Sequence, residues 1–282
     1  MAADSQRATA NATTFIGSSD SFWTLGWADL KRHRELLYYL TWRDIKVRYT
    51  QTLLGVTWVI VQPLAVALAL AVFLGRTIHL PSDSFPYPVF VYSGMVLWQL
   101  FAQSLTESSN SVVRNEQLVS KVYFPRLLAP LSAILASLLD FAISFPVLVL
   151  FLACFRITPT ASVVLFPLFV LPVILCSLGA GLWLSALNVK FRDVRHTVNF
   201  LVQFWFFATP VAYPISSVPV RWRLIYELNP MVGALQGFRW ALHGEGAFPT
   251  RSVVLAIFTG TTLLLTGLYY FRRTEDTFAD FI

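Results

Sequence analysis

Five stretches of this sequence run for about the length of a membrane-spanning helix without a single charge. They are residues 53–74, 88–105, 161–187, 197–215 and 253–271; a sixth, 127–155, carries only Asp140. A helical span needs roughly 20 apolar residues. A transmembrane barrel would instead show short alternating strands, and these runs are continuous. With 56% of residues hydrophobic and 13% charged, a water-soluble fold could not cover its apolar surface. The expected class is therefore an all-α integral membrane protein with six transmembrane helices. Residues 1–28 are polar and hold no apolar core of signal-peptide length, so they are expected to form a cytoplasmic tail. The connecting pieces 1–52, 106–126, 188–196 and 272–282 carry most of the 21 Lys and Arg, which places both termini in the cytoplasm. The net charge of +6 is read as attraction to anionic headgroups, with no nucleic acid as partner.

Two further segments have a pattern of their own. Residues 29–50 are expected to form an interfacial helix capped by Asp29. Tyr38, Trp42, Ile45 and Tyr49 lie on one stripe; Leu36, Leu40 and Val47 lie on another. Two apolar stripes suit a helix that touches lipid on one side and protein on the other, and a plain juxtamembrane anchor is the alternative. Residues 216–250 alternate apolar and polar groups around a break at Asn229-Pro230. This predicts a re-entrant hairpin of two short helices on the outer side, lining a cavity, or else an amphipathic cap on the membrane surface.

Catalytic signatures do not occur. No G-x-x-x-x-G-K-[ST] loop is present to hold a nucleotide, and no G-x-S-x-G elbow. The four histidines have no metal-binding spacing. Cys154 and Cys176 make no disulfide framework. Ser177, Gly181 and Ser185 put small residues at every fourth position, a face for close helix packing. Asp140 is the one ionisable residue well inside a span, and such residues are functional by default. It reads either as a proton relay or as a hydrogen-bonded tie to a neighbouring helix.

Three ordered strings carry a resemblance. The first is Trp42-Arg43-Asp44-Ile45-Lys46-Val47-Arg48-Tyr49 followed by Leu53-Leu54-Gly55, Trp58 and Gln62-Pro63. The second is Asn115, Leu118-Val119, Lys121 and Phe124-Pro125-Arg126. The third runs from Asn188 through Arg192-Asp193-Val194 to Thr209-Pro210-Val211, Tyr213-Pro214, Asn229-Pro230 and Phe238-Arg239. Together they resemble the permease subunit of ABC-2-type exporters of polysaccharides and polyol phosphates, the systems for O-antigen, capsule and teichoic acid. Thr209 stands where that pattern favours Ser. The resemblance implies a permease homodimer in a bacterial inner membrane, working with a homodimer of a separate ABC ATPase. It also implies a polysaccharide carried on undecaprenyl diphosphate. No cofactor would bind this chain; ATP and Mg would belong to the partner.

Site expectations follow from that reading. The loop 107–126 would couple to the ATPase through Asn115, Glu116, Leu118, Lys121, Phe124, Pro125 and Arg126; a solvated loop is the alternative. Arg192 and Asp193 would be a second contact, or would only pair with each other. Arg43, Lys46 and Arg48 are candidates for the diphosphate, because a diphosphate at the inner leaflet needs cations. Tyr92, Trp98, Phe101, Phe200, Phe204, Trp205, Tyr213, Trp222 and Tyr226 are candidates for lining a sugar channel, since aromatic rings join an apolar face to a polar tip. An ABC-2-type exporter of a drug or small lipid, a proton-driven transporter using Asp140, and a membrane-embedded glycosyltransferase are the competing readings. The last would need an acid cluster and metal ligands that the sequence does not provide.

Overall fold

The computed structural model describes residues 31–50, 55–78, 86–121, 124–158, 160–244 and 246–278. The Asp29 cap and Leu53-Leu54 lie outside these residues. Among the described residues every regular element is helical. In chain order the α-helices are α1 (Arg34–Tyr49), α2 (Thr57–Leu70), α3 (Tyr87–Arg114), α4 (Glu116–Lys121) and α5 (Leu128–Cys154). They continue with α6 (Phe166–Lys190), α7 (Val194–Phe207), α8 (Val220–Glu227), α9 (Pro230–His243) and α10 (Thr250–Thr274).

Four helical segments are long and apolar enough to cross a membrane: Thr57–Gly75, Leu128–Cys154, Ala161–Lys190 and Thr250–Thr277. The other two expected spans differ for identifiable reasons. Helix α3 has 28 residues, about 42 Å of rise, but it carries Gln99, Gln103, Glu107 and a series of serines. Helix α7 has only 14 residues, about 21 Å, against a hydrocarbon core of roughly 30 Å. It stops at Phe207 because Pro210 follows; proline lacks the amide donor a continuing helix needs and disfavours helical geometry in the residue before it. The expected span 197–215 is thus a short helix followed by irregular backbone.

Helix α3 is the centre of the molecule. Its residues 89–98 are all buried, and it packs against α5 on one side and α6 on the other. Helix α10 packs on the opposite face of α6. Close approach of these helices rests on small residues. A Cβ on Gly181 would sit 2.4 Å from Ser108 Oγ of α3, and one on Gly179 would sit 2.4 Å from the α10 backbone at Leu263. Ser177 and Ser185 are fully buried on the same helix, so the small-residue face is a packing face.

A second, smaller apolar cluster closes one end of the bundle. It joins Leu40 of α1, Val112 of α3, Val119 of α4, Phe124, Leu182 of α6, Phe271 of α10 and Phe278. Leu40 faces this cluster and is 1% exposed, whereas Tyr38 is 72% exposed and Trp42 51%. Leu40 of one stripe is thus packed while Tyr38 and Trp42 of the other are open, but the division does not hold to the end of α1, where Val47 is exposed and Tyr49 is half-buried.

Candidate functional site

Two regions concentrate polar side chains that an apolar bundle would otherwise exclude. The first is where α1 meets α3 and α5. Arg48 of α1 ion-pairs with Asp140 of α5, and Tyr49 donates to the other oxygen of the same carboxylate. Asp140 is 3% exposed, and a charge at that depth requires such partners. Arg48 also lies 3.8 Å from Glu107 of α3, and Arg114 pairs with Glu107 at 2.5 Å. One turn earlier on α1, Arg43 pairs with its neighbour Asp44 at 2.7 Å, and Asp44 accepts from Ser132 of α5 at 2.9 Å. Burial, and after it the bond to Asp140, raise the Tyr49 phenol above its ordinary range. It therefore stays protonated and donating at neutral pH.

Of the cations expected to meet phosphate, Arg48 and Arg43 are thus engaged by carboxylates. Lys46 is exposed and makes no side-chain hydrogen bond or ion pair among the described residues. A cavity of about 320 Å³ is lined by Arg43, Asp44, Arg48, Glu107, Arg114 and Asn115. A second, of about 130 Å³, is lined by Arg48, Tyr49, Gly55, Trp58, Gln62, Gln99 and Gln103.

The segment expected to meet an ATPase follows directly. Asn115 ends α3 and donates from its amide to Ser111 O at 2.7 Å. Helix α4 then turns Glu116, Gln117, Ser120 and Lys121 outward and Val119 inward. Leu118 is half-buried against the small cluster that also holds Phe124. Pro125 follows, and the Arg126 guanidinium lies over the Phe278 ring, 5.7 Å from its centre. Asn188 of α6 donates to Ser109 O and Asn110 Oδ1 of α3, both at 3.0 Å, which ties the next loop to the same corner. Arg192 and Asp193 are exposed and form no ion pair with each other, so the alternative of local pairing is not what the structure contains.

The second polar region is the break in α7 and the helices that answer it. Asn229 caps α9 by accepting from Met231 N at 3.1 Å. It also accepts from Trp205 Nε1 at 3.0 Å and donates to Ala208 O and Thr209 Oγ1 at 3.3 and 3.0 Å. Arg239 of α9 donates to Pro210 O, Val211 O and Phe90 O at 3.0, 2.7 and 3.2 Å, and covers the Phe90 ring at 3.5 Å. Tyr87 donates to Ala212 O at 2.7 Å, and Tyr213 to Phe207 O at 2.9 Å. Irregular backbone away from water needs its carbonyls satisfied, and these four side chains do that. Helices α8 and α9 flank Asn229-Pro230, the position of the expected break. With α7 and α10 they enclose a cavity of about 660 Å³.

The nine candidate channel aromatics divide sharply. Tyr92, Trp98 and Phe101 are buried among helices of this chain; Tyr92 stacks on Phe151 and Trp98 packs edge-on against Phe206. Their position in the packed core, not on an open face, departs from the expectation for lining residues. Phe204, Trp205 and Tyr226 come together on the 660 Å³ cavity, and Tyr213 meets Tyr226 with hydroxyls 3.1 Å apart. Phe200, Phe204 and Trp222 are exposed. Sequence reasoning did not single out Gln99 or Gln103, and it met Gln62 only within the first string and Glu107 only as the start of the loop 107–126. The signal was present as Gln99-x-x-x-Gln103-x-x-x-Glu107, one polar stripe on an apolar helix. Among the described residues no group of three or more His, Cys, Asp and Glu could hold a metal.

A helical bundle with four helices long and apolar enough to cross a membrane is that of a multi-pass membrane protein. The profile of the ABC-2 type transporter family matches residues 35–243, so the chain belongs to that family. It is 31% identical over 251 residues to the O-antigen export system permease protein RfbA of Klebsiella pneumoniae, covering 88% of this chain and 95% of that protein. The protein of the same name from Myxococcus xanthus is 31% identical over 252 residues, with 88% and 96% covered. The polysialic acid transport protein KpsM of Escherichia coli is 27% identical over 243 residues, with 83% and 91% covered.

Proposed function

We propose that this chain is the membrane permease of an ATP-driven exporter that moves a lipid-linked polysaccharide, such as O-antigen on undecaprenyl diphosphate, out of the cytoplasm. The observation that carries this reading is the extent of the likeness. Relatives named for O-antigen and for polysialic acid transport align over more than four-fifths of this chain, and the family match over residues 35–243 takes in α1, α4 and the Asn229-Pro230 break. In this reading the chain spans the bacterial inner membrane six times, with α3 as the second span, the segment containing α7 as the fifth, and both termini in the cytoplasm. Helix α1 lies on the inner leaflet, and α8 and α9 form the outer re-entrant hairpin. The working unit is a permease homodimer with a homodimer of a separate ABC ATPase that binds ATP and Mg.

The exposed polar face of α4 with Arg192 and Asp193 offers a surface for that ATPase, while Val119 and Phe124 link any movement of it to α1 and α10. Of Arg43, Lys46 and Arg48, Lys46 is the one open to a diphosphate. Phe200, Phe204 and Trp222 on the open surface, with Trp205 and Tyr226 on the 660 Å³ cavity, are the aromatic candidates accessible to a sugar chain. The test is genetic and biochemical together. Cells lacking the chain should accumulate lipid-linked glycan on the cytoplasmic side and lose it from the surface. A small lipid or drug accumulating instead would replace the cargo.

A further inference from the structure

We infer that the cavity between α2 and α3 is a sugar-recognition subsite near the cytoplasmic end of the permease, formed by Gln62, Gln99 and Gln103 with Trp58 and Tyr49. The inference rests on the export reading and deepens it, naming the residues that hold the glycan and separating them from any that hold phosphate.

The argument begins with three amides. Gln99 and Gln103 are one helical turn apart on α3, and Trp58 and Gln62 one turn apart on α2, so each pair shares a face. All four line one cavity of about 130 Å³, far more than a single water requires. Among the described residues none of the three glutamine side chains makes a hydrogen bond. Both helices are otherwise packed or apolar, and a polar side chain in such a helix is expensive unless it faces water or a ligand. A carboxamide presents a donor and an acceptor side by side, which matches adjacent hydroxyls of a sugar ring. The Trp58 indole, 51% exposed, supplies a flat apolar face for the ring's C–H side.

Charge decides between sugar and phosphate. The cation at this cavity is Arg48, and it is held between Asp140 and Glu107. Asp140 neutralises it directly, and Glu107, shared with Arg114, lies 3.8 Å away, so the cavity offers no unpaired cation to an anion. A neutral, hydroxyl-rich ligand is what the lining fits. The diphosphate would then sit elsewhere, toward exposed Lys46.

The test uses the full-length chain in its own membrane. Gln62, Gln99 and Gln103 are each replaced by Leu, singly and together, and surface glycan and cytoplasmic lipid-linked glycan are quantified. The triple variant should lose at least tenfold in surface glycan and accumulate lipid-linked glycan inside. Its expression level and thermal midpoint in detergent should stay at the wild-type values, because no internal hydrogen bond is removed. A photo-reactive residue at Val59, also on this cavity, should capture the glycosylated lipid and not the same polyprenyl diphosphate without sugar. Unchanged export in the triple variant, or equal capture of the two lipids, overturns the subsite while leaving the export reading standing. Undiminished surface glycan in cells lacking the chain altogether overturns both.

Discussion

Replacing Arg48 should damage the protein more than replacing Asp140, although the two form one ion pair. Arg48→Ala leaves a carboxylate that is 3% exposed, with the Tyr49 hydroxyl as its remaining partner among the described residues. Removing one member of a buried pair costs about 3–5 kcal/mol, mostly the penalty of the charge left behind. Asp140→Ala is gentler. Arg48 keeps Glu107 at 3.8 Å, and its side chain is 18% exposed, so water and a second carboxylate share the charge. The loss is then closer to that of a charged hydrogen bond, about 1.5–3 kcal/mol. Removing both charges with Arg48→Met and Asp140→Leu should recover most of the loss, since apolar replacements of a buried pair are often neutral. The assay is thermal unfolding of the purified protein in detergent. A midpoint drop on the order of 10 °C is expected for Arg48→Ala, less for Asp140→Ala, and least for the double variant. A double variant as unstable as Arg48→Ala, or Asp140→Ala as the worst of the three, would refute the reasoning.

Other perturbations follow from the same contacts. Asp140→Asn keeps an acceptor oxygen for one of Arg48 and Tyr49 and should leave glycan export within a few-fold of wild type; complete loss of export in a stably folded variant would favour the proton-relay reading. Asn229→Ala strips partners from Trp205, Met231 N, Ala208 O and Thr209 and should destabilise by at least about 2 kcal/mol, read as a lowered unfolding midpoint in detergent. Gly233→Val puts a Cβ 2.0 Å from Ser252 O and should separate α9 from α10, seen as protease sensitivity in the 220–250 segment. Lys46→Glu should depress export without moving the unfolding midpoint, as its side chain holds no partner among the described residues; an equal drop in both would make it structural.

Much of this arrangement was legible in the residues, and the remainder fails to show for physical reasons. Long uncharged runs announce helices, and Asn229-Pro230 announces a break, because both signals are local. Asp140 was visible as an anomaly, yet its partner Arg48 lies 92 positions away, and no periodicity links two residues at that distance. The structure places Asp140 in an interhelical tie with Arg48 and Tyr49, one of the two expected readings. The aromatics show the opposite limit. Trp98 and Phe204 look alike in sequence, both within apolar runs, but α3 is enclosed by its neighbours and α7 is not. Which face of a wholly apolar helix is covered depends on its partners alone. The shortness of α7 was written at Thr209-Pro210, but the uncharged run beyond it masked the stop.

In the proposed function this chain conducts a lipid-linked glycan and takes its energy from a separate ATPase. The most direct measurement is transport of the radiolabelled lipid-linked glycan across vesicles containing the purified chain, with and without the co-purified ATPase and ATP. Movement of label into the lumen only when chain, ATPase and ATP are all present is the predicted result. Uphill movement by the chain alone, or movement driven by a proton gradient without ATP, would contradict it.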